Sequence, residues 1–481
     1  MRKTIPRGGV RISSAWAGNG TVLHSRWGIG SMPVAGDSNG RTNDYLEISP
    51  WVVRPADLQE PLRTDITADV AIIGGGYTGL TTALALKRAG VDAVILERDF
   101  AGGGASGRNA GHLTPTIGKD LPTLLMLFGK TRSARLVKFA DESVHIVEEL
   151  IRQHRIDCDY RPSGNIMAAV HPKQEARLRR AAEVAAHIGA HVRFVDRAEM
   201  RARGVPPAFL SGALEESGGT LDPGKYVMGL RRGALDAGIK LYEQTAVHEI
   251  IEAPRPRLRT GGGVVTAGTL VLATNAYTVG LGRFRHTIYP LYDTLFETEP
   301  LSAAQRDVIG WKGREGIYTA HESLESYHLT TRGTIVGGSK GVRYHYGSAL
   351  LGGRDQPTLG ILEQAFRDRF PQLSDVKMAH FWGGWIDMTM HFLPTLGCTG
   401  RHRNIYYALG YNGHGVAAAS AMGPPLADLI LGRKHEHVDL FTKFVPPLPP
   451  EPFRWLLIKG ALSAFNYLDG RIDRKIRMQR M

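Results

Sequence analysis

Cysteine is nearly absent from this 481-residue chain: Cys158 and Cys398 are the only two. Two thiols cannot build a disulfide framework, and they are too few for a cysteine-ligated zinc or iron–sulfur site. No metal site is expected, and a reducing, cytoplasmic setting is the natural reading. Long apolar runs are also missing. No stretch of about 18 uninterrupted apolar residues occurs, so no membrane-spanning helix is predicted. The N-terminus lacks the apolar centre of a secretory signal. Acidic residues are absent from positions 1–36, which hold Arg2, Lys3, Arg7, Arg11 and Arg26. Positions 452–481 are similar, with seven basic residues against Asp469 and Asp473. The two ends therefore carry ten of the formal +13 net charge, and the body between them is near neutral. That distribution argues against a nucleic-acid surface on the body, and no nucleic-acid partner is expected.

What the chain has is glycine, 58 of them, and they are patterned. Val70–Ile73 is wholly apolar and suits a central parallel strand. Thr78–Ala89 has small and aliphatic residues at helical spacing, with Gly90 as a stop. Ala93–Leu96 is a second buried strand, ending at Glu97. Between the first strand and the helix, Gly74, Gly76 and Gly79 make G-x-G-x-x-G. The first glycine permits the tight turn, the second admits a pyrophosphate, and the third lets the helix pack on the strand. Glu97 stands at the end of the second strand, where a carboxylate accepts both ribose hydroxyls. A second loop, GGGASGRNAGH at 102–112, offers amides, a hydroxyl, an arginine and a carboxamide for another phosphate and ribose contact. Two such loops suit a larger dinucleotide than a mobile nicotinamide cofactor.

Further along, residues 131–154 form an amphipathic helix with Leu136, Phe139, Val144, Val147 and Leu150 on one side. Residues 45–68 read as an ordered lead-in packed on the surface, with Trp51. Strand-like segments dominate 158–172 and 286–375. The strand at 266–274, closing on Asn275-Ala276-Tyr277, and the strand–turn–helix at 404–431 read as returns to the nucleotide part. The partition is then 45–157, 241–285 and 376–440 for the nucleotide domain, and 158–240 with 286–375 for a substrate domain. Residues 1–44 read as a disordered basic tail. Residues 441–481 read as a basic tail with a helix, carrying Trp455, Ile458, Leu462, Phe465 and Leu468 on one side. That helix either docks on the protein itself or makes a peripheral membrane or protein contact.

Glu97 after G-x-G-x-x-G, GASGRNAG at 104–111, LVLATNAY at 270–277 and YYALGYNGHGV at 406–416 occur in the order found in the D-amino-acid-oxidase-like (DAO) family. Over residues 45–435 the chain resembles these FAD-dependent oxidoreductases, and the GASGRN and GY-x-GHG stretches resemble the γ-glutamylputrescine oxidase-like branch. The resemblance implies an α/β fold in which a Rossmann-like FAD domain is interleaved with an α+β substrate domain on a mainly antiparallel sheet. It implies noncovalent FAD on Gly74, Gly76, Tyr77, Thr78, Gly79, Glu97 and Arg98. Ala105, Ser106, Arg108, Asn109, Gly111, His112 and Leu113 would line the phosphates and isoalloxazine. Val247, Thr274, Asn275 and Gly384 would complete the cradle, with Gly410, Gly413, His414, Gly415 and Val416 at the pyrimidine edge.

Relatives in this family often carry Y-x-R-L-T where this chain has Tyr327-His328-Leu329-Thr330. An arginine there can clamp a carboxylate, whereas a neutral histidine does so poorly, which favours an amine substrate. The activity implied is oxidation of a small or γ-glutamylated amine, with hydride transfer to flavin, imine hydrolysis and reoxidation by O2. His112, His328, Trp385 and His391 are the pocket candidates. A dehydrogenase feeding a quinone or protein partner, an oxidase of D-amino or N-methyl amino acids, and a flavoprotein assembly factor are the alternatives.

Overall fold

The computed structural model describes residues 49–353 and 355–478. The tail expected at 1–44 lies outside them. In chain order the strands are β1 (Ile66–Ile73), β2 (Ala93–Leu96), β3 (His112–Leu113), β4 (Asn165–Ala169), β5 (Val192–Val195), β6 (Ser211–Glu215), β7 (Gly219–Thr220), β8 (Lys240–Tyr242) and β9 (Val247–Ile251). They continue with β10 (Arg257–Thr260), β11 (Val264–Leu272), β12 (Ile288–Thr298), β13 (Gly316–Thr319), β14 (Ser326–Leu329), β15 (Ile335–Gly338), β16 (Met378–Thr389), β17 (Thr395–Thr399) and β18 (Ile405–Leu409).

The first sheet has the order β17-β18-β11-β1-β2-β8, with β10 and β9 extending from β11. Strands β18, β11, β1, β2 and β8 are parallel neighbours. Helix α1 (Tyr77–Arg88) crosses from β1 to β2. Both faces of these strands are covered, which is why they read as continuous apolar runs. Ile72 and Ile95 point into the core shared with Leu80 and Leu84 of α1. Ala71, Ile73, Val94 and Leu96 point to the opposite face, with Leu258 and Leu270.

The second sheet, β16-β12-β15-β14-β13-β4-β6-β5, is antiparallel apart from the β13–β4 pair. Ile166, Ile317 and Tyr327 pack its outer face against Phe366 and Phe370. On its other face Ala169 and Ala213 pack against Leu178 of the Glu175–Ile188 helix. The architecture is thus a parallel-sheet domain interleaved with a mainly antiparallel one.

Two stretches sit differently from the expected partition. Strand β16 was assigned to the nucleotide part, yet it pairs with β12 over nearly its whole length in the second sheet. The alternation of MAHFWGGWIDMT is that of a two-faced strand, not of a return to the parallel core. The Pro223–Asp236 helix, assigned to the substrate part, packs Tyr226, Val227, Leu230 and Ala234 into the α1 core. Helix α2 (Leu121–Gln153) starts earlier than expected, with a break at Gly129 (φ 70°). The lead-in is not superficial either: Trp51 is buried with Leu295, Val336 and Trp382 of the second sheet.

The C-terminal helix, Phe453–Met478, docks on the second sheet's side of the molecule. Its inner stripe is Arg454, Ile458, Asp469, Asp473 and Ile476, whereas Leu468 is 48% exposed. The helix departs from the expected apolar stripe because Asp473 meets buried cations. Arg369 is bound to Glu325 (2.8 Å) and to Asp473 (2.7 Å), and Lys340 Nζ lies 2.7 Å from Asp473 and also contacts Glu325. Two carboxylates, an arginine and a lysine thus satisfy one another, so none is left as a lone buried charge.

Candidate active site

The nucleotide end is built by one local stretch. Gly74 has φ +107°, and a side chain there would meet the Ala273 carbonyl at 2.6 Å. A Cβ on Gly79 would stand 1.9 Å from the Gly74 carbonyl, so only glycine lets α1 start this close to β1. A Cβ on Gly76 would meet the Ser106 hydroxyl at 2.8 Å. That hydroxyl accepts the Tyr77 amide (3.1 Å), while the Tyr77 hydroxyl donates to the Ser106 carbonyl (2.7 Å). The two glycine loops are therefore stitched together. Thr78 Oγ1 lies 2.6 Å from the Tyr411 hydroxyl, tying the first turn to the distant 410–416 turn. Glu97 accepts the Gly75 amide (2.8 Å) and the Asp99 amide (3.1 Å); burial raises its pKa and these two donors oppose the rise. Arg98 beside it is exposed.

Around the second loop, Ala105–Gly107 is a short 3-10 turn. Arg108 donates to the carbonyls of Gly103 (2.9 Å) and Gly383 (3.3 Å), and its own carbonyl accepts from Trp382 Nε1 (2.9 Å). A Cβ on Gly384 would lie 3.4 Å from that of Arg108. Asn109 bridges the Ser106 carbonyl and the Gly111 amide. Val247 is buried at the head of β9. Thr274 Oγ1 meets Thr278 Oγ1 (2.8 Å), and Asn275 donates to the Trp385 carbonyl (3.1 Å) while its Oδ1 is buried with no partner. In the third turn, Asp387 accepts the Gly410 and Tyr411 amides and is pushed up to about 6 by burial. Gly413 (φ +85°) faces open space, His414 Nδ1 lies 3.1 Å from the Asn412 carbonyl, and Gly415 and Val416 begin a short helix.

The substrate end is assembled from distant strands. His112 in β3 places Nδ1 3.1 Å from Asn165 Oδ1. Asn165 donates its amide to the Leu113 carbonyl (2.8 Å), which fixes Oδ1 as the acceptor and His112 as the Nδ1–H tautomer. Nε2 of His112 is then a buried lone pair without a partner. Burial lowers this histidine to about 4, with the Asn165 contact opposing. His328 lies edge-on to His112 at 6.1 Å and stacks on Trp51 at 6.1 Å. Burial, then the neighbouring His112, lowers it to about 3. On the other side of His112 stands Tyr318, at 6.4 Å, whose hydroxyl donates to Glu215 Oε1. Burial lifts Glu215 to about 8, against the Tyr318 hydrogen bond, so near neutral pH it holds its proton.

Of the predicted pocket residues, His112 and His328 are brought together. Trp385 is not with them: it packs against Tyr292 (4.9 Å) and His345 (5.9 Å) on the opposite face of β16 from Trp382. His391 is engaged by Thr389 Oγ1 (3.0 Å) and the Leu393 amide (3.2 Å) in the turn after β16. Trp51, Asn165, Glu215 and Tyr318 escaped the sequence reading. Glu215 had left one signal, an acid closing the otherwise apolar strand SGALE.

The cradle fits FAD. Glycines that tolerate no side chain shape the first turn, Gly413 opens the third, and Asn275 Oδ1 and His112 Nε2 are buried groups lacking partners. Residues 69–429 match the model of the DAO family, FAD dependent oxidoreductase. The chain belongs to this family. It is an FAD-dependent oxidoreductase with the fold of its relatives. It is 31% identical to γ-glutamylputrescine oxidoreductase of Escherichia coli K12, over 86% of this chain and 93% of that protein. It is 28% identical to the probable oxidoreductase OrdL of Haemophilus influenzae, over 82% and 90% of the two chains. Among solved structures, glycine oxidase of Geobacillus kaustophilus superposes with a TM-score of 0.66 at 20% identity, covering 78% of this chain and 98% of that one. That likeness is one of fold.

Proposed function

We propose that this protein oxidises the C–N bond of a small or γ-glutamylated amine and passes the electrons to O2. The observation that carries this reading is the chemistry of the substrate face. His328, Asn165, Tyr318 and Glu215 gather around His112 of β3, and all five side chains are neutral near pH 7. Such a face suits an amine better than a carboxylate, which needs a cation: Arg161 and Arg332 act on His328 from beyond it, and Arg332 is paired with Asp222 and Glu297. The 31% identity to an enzyme named for γ-glutamylputrescine supports the γ-glutamylated class. Noncovalent FAD is in keeping with His112 Nδ1 being engaged by Asn165, and with Cys158 buried at a pKa of about 12. Two free thiols suit a reducing, cytoplasmic setting.

Bound FAD supplies the acceptor for the hydride that leaves the amine's α-carbon. The residues position the amine. Nε2 of His112 offers a lone pair to an amine N–H, and Asn165 keeps that lone pair pointed outward by holding Nδ1–H. His112 is too weak a base to store the substrate's proton: moving one from an alkylammonium near 10 to a group near 4 costs about 8 kcal/mol. The ammonium therefore sheds its proton to solvent before binding, and His112 orients the neutral amine. Loss of hydride leaves an iminium, and water converts it to carbonyl product and ammonia or a smaller amine. O2 takes two electrons and two protons to give H2O2. Peroxide release across polyamines, γ-glutamylated amines, N-methyl amines and D-amino acids tests the reading; no peroxide and no flavin reduction with any of them would sink it.

One observation favours a dehydrogenase variant of this reading. Phe453, Leu456, Leu457 and Tyr467 of the C-terminal helix are 48–65% exposed, beside Lys459, Arg471 and Arg474. An apolar outer face with cations along it suits an anionic lipid surface that holds a quinone. Removing the helix would strip Asp473 from its buried cluster, so the discriminating variant is Leu456→Glu with Leu457→Glu. Fast reoxidation by quinone, slow reoxidation by O2 and loss of sedimentation with anionic vesicles in that variant would favour the dehydrogenase.

A further inference from the structure

We propose that the cavity between β4–β6 and α2 is a subsite for an alkylammonium group, with the unpartnered oxygen of Glu215 as its acceptor. This rests on the amine-oxidising reading and adds the class of substrate: an α,ω-diamine or polyamine, with one amino group at His112 and a second in the cavity.

The cavity has a volume of about 40 Å³ and is lined by Ile117, Leu124, Val137, Ala140, Met167 and Glu215. Its Glu215 and Met167 share a face of the second sheet with Asn165 and Tyr318. Glu215 pairs in register with Asn165, the residue that holds His112, and Met167 pairs with Tyr318. The chain leaving β3 runs straight into its wall, through Pro115–Ile117. Glu215, in register with Asn165 and bonded to Tyr318, thus joins the surroundings of His112 to the cavity wall.

Glu215 is 3% exposed. Its Oε1 accepts the Tyr318 hydroxyl, and its Oε2 is buried with no hydrogen-bond partner. Besides burial, the Tyr318 hydroxyl alone acts on this carboxyl, so no side-chain cation among the described residues answers it. Buried carboxyls are ordinarily paired, and one left half-satisfied costs stability that a structural role would not repay. Elsewhere in the same sheet the chain does pair its buried acid: Glu325 has Arg369 and Lys340. Most of the other lining is aliphatic, which suits methylenes; Thr116, Lys119 and Asp120 also border the cavity, but Lys119 Nζ lies over the Phe392 ring at 4.0 Å and Asp120 is paired with Arg177 at 2.8 Å. The space holds about three water-sized groups, enough for an ammonium and the two methylenes behind it. A second amino group entering neutral would take the carboxyl's proton, and the ammonium so formed would be held by the carboxylate in a charge-assisted hydrogen bond.

The test uses the full-length, FAD-loaded protein reduced with dithionite, which cannot turn the amine over. Calorimetric titration compares 1,4-diaminobutane, 1,6-diaminohexane and 1,8-diaminooctane with 1-aminobutane and 1-aminohexane. At least one diamine is expected to bind tenfold or more tightly than the monoamines. Glu215→Gln, which keeps the shape and cannot ionise, should erase that preference, and Tyr318→Phe, which frees the second oxygen, should retain it. Equal affinities in the wild type, or a preference that survives Glu215→Gln, would overturn the subsite. Amine oxidation without diamine preference defeats the subsite and leaves the function standing. Diamine preference with no amine able to reduce the oxidised flavin does the reverse.

Discussion

Glu97, half-buried, and Glu215, buried, are two acids with raised pKa values, and they are held in opposite ways. Glu97 accepts two backbone amides, from Gly75 in the turn after the neighbouring strand β1 and from Asp99 just beyond its own strand. Glu215 accepts one phenol, brought by a strand 103 residues away, and keeps an oxygen free. The first is fixed by local chain geometry and is ready for a constant ligand. The second is fixed only by the tertiary fold and has capacity to spare, as a specificity pocket requires. The nucleotide end and the substrate end of the site differ in the same sense.

The strongest way to break the nucleotide end is Gly79→Val. With Cβ 1.9 Å from the Gly74 carbonyl, α1 must move off β1, and the purified protein should contain essentially no flavin, read from its visible absorbance. Next comes the support behind the substrate sheet. Asp473→Ala leaves Arg369 and Lys340 with one carboxylate between them and should cost about 3–5 kcal/mol in denaturant unfolding. A smaller effect is expected for Glu97→Gln, which keeps one acceptor but removes the charge: FAD should bind about tenfold more weakly in equilibrium dialysis, in line with about 1.5 kcal/mol for a charged hydrogen bond.

The subtlest prediction separates Glu215 from the histidines by pH. Glu215 holds its proton more tightly folded than unfolded, so its contribution to stability is complete below about 4.5 and fades as pH rises toward about 8. His112 and His328 are held neutral in the folded chain. Their contribution is lost as pH falls from about 6.5 to about 4 and about 3, respectively. Glu215→Gln should therefore flatten the alkaline side of the stability curve between pH 5 and 8 and leave the acid side in place. An unchanged alkaline slope in that variant would mean the carboxyl is already ionised.

The same contrast explains what could be read from the chain alone. Gly74, Gly76, Gly79 and Glu97 lie within one strand–helix–strand unit, where spacing in sequence is spacing in space. The α2 stripe of Leu136, Phe139, Val144, Val147 and Leu150 was legible for the same reason, and all five residues are buried. His112 and His328 could be named but not joined until β14 was seen beside the loop. Asn165, Glu215 and Tyr318 could not be named, because three strands in non-sequential order bring them together. Trp385 could be named, but its separation from the two histidines could not, because strand parity decides which face a side chain takes, and the parity of β16 follows from its pairing with β12. The C-terminal helix was half legible: its periodicity was visible, but the burial of Asp469 and Asp473 depends on partners far along the chain.

Anaerobic titration of the oxidised, FAD-loaded protein with the amine panel bears most directly on the central claim. The account predicts that at least one amine bleaches the flavin's visible band stoichiometrically and that His112→Phe slows this reduction without releasing the cofactor. If D-amino acids alone reduce the flavin while every amine fails, the neutral substrate face has been misread and the claim is wrong.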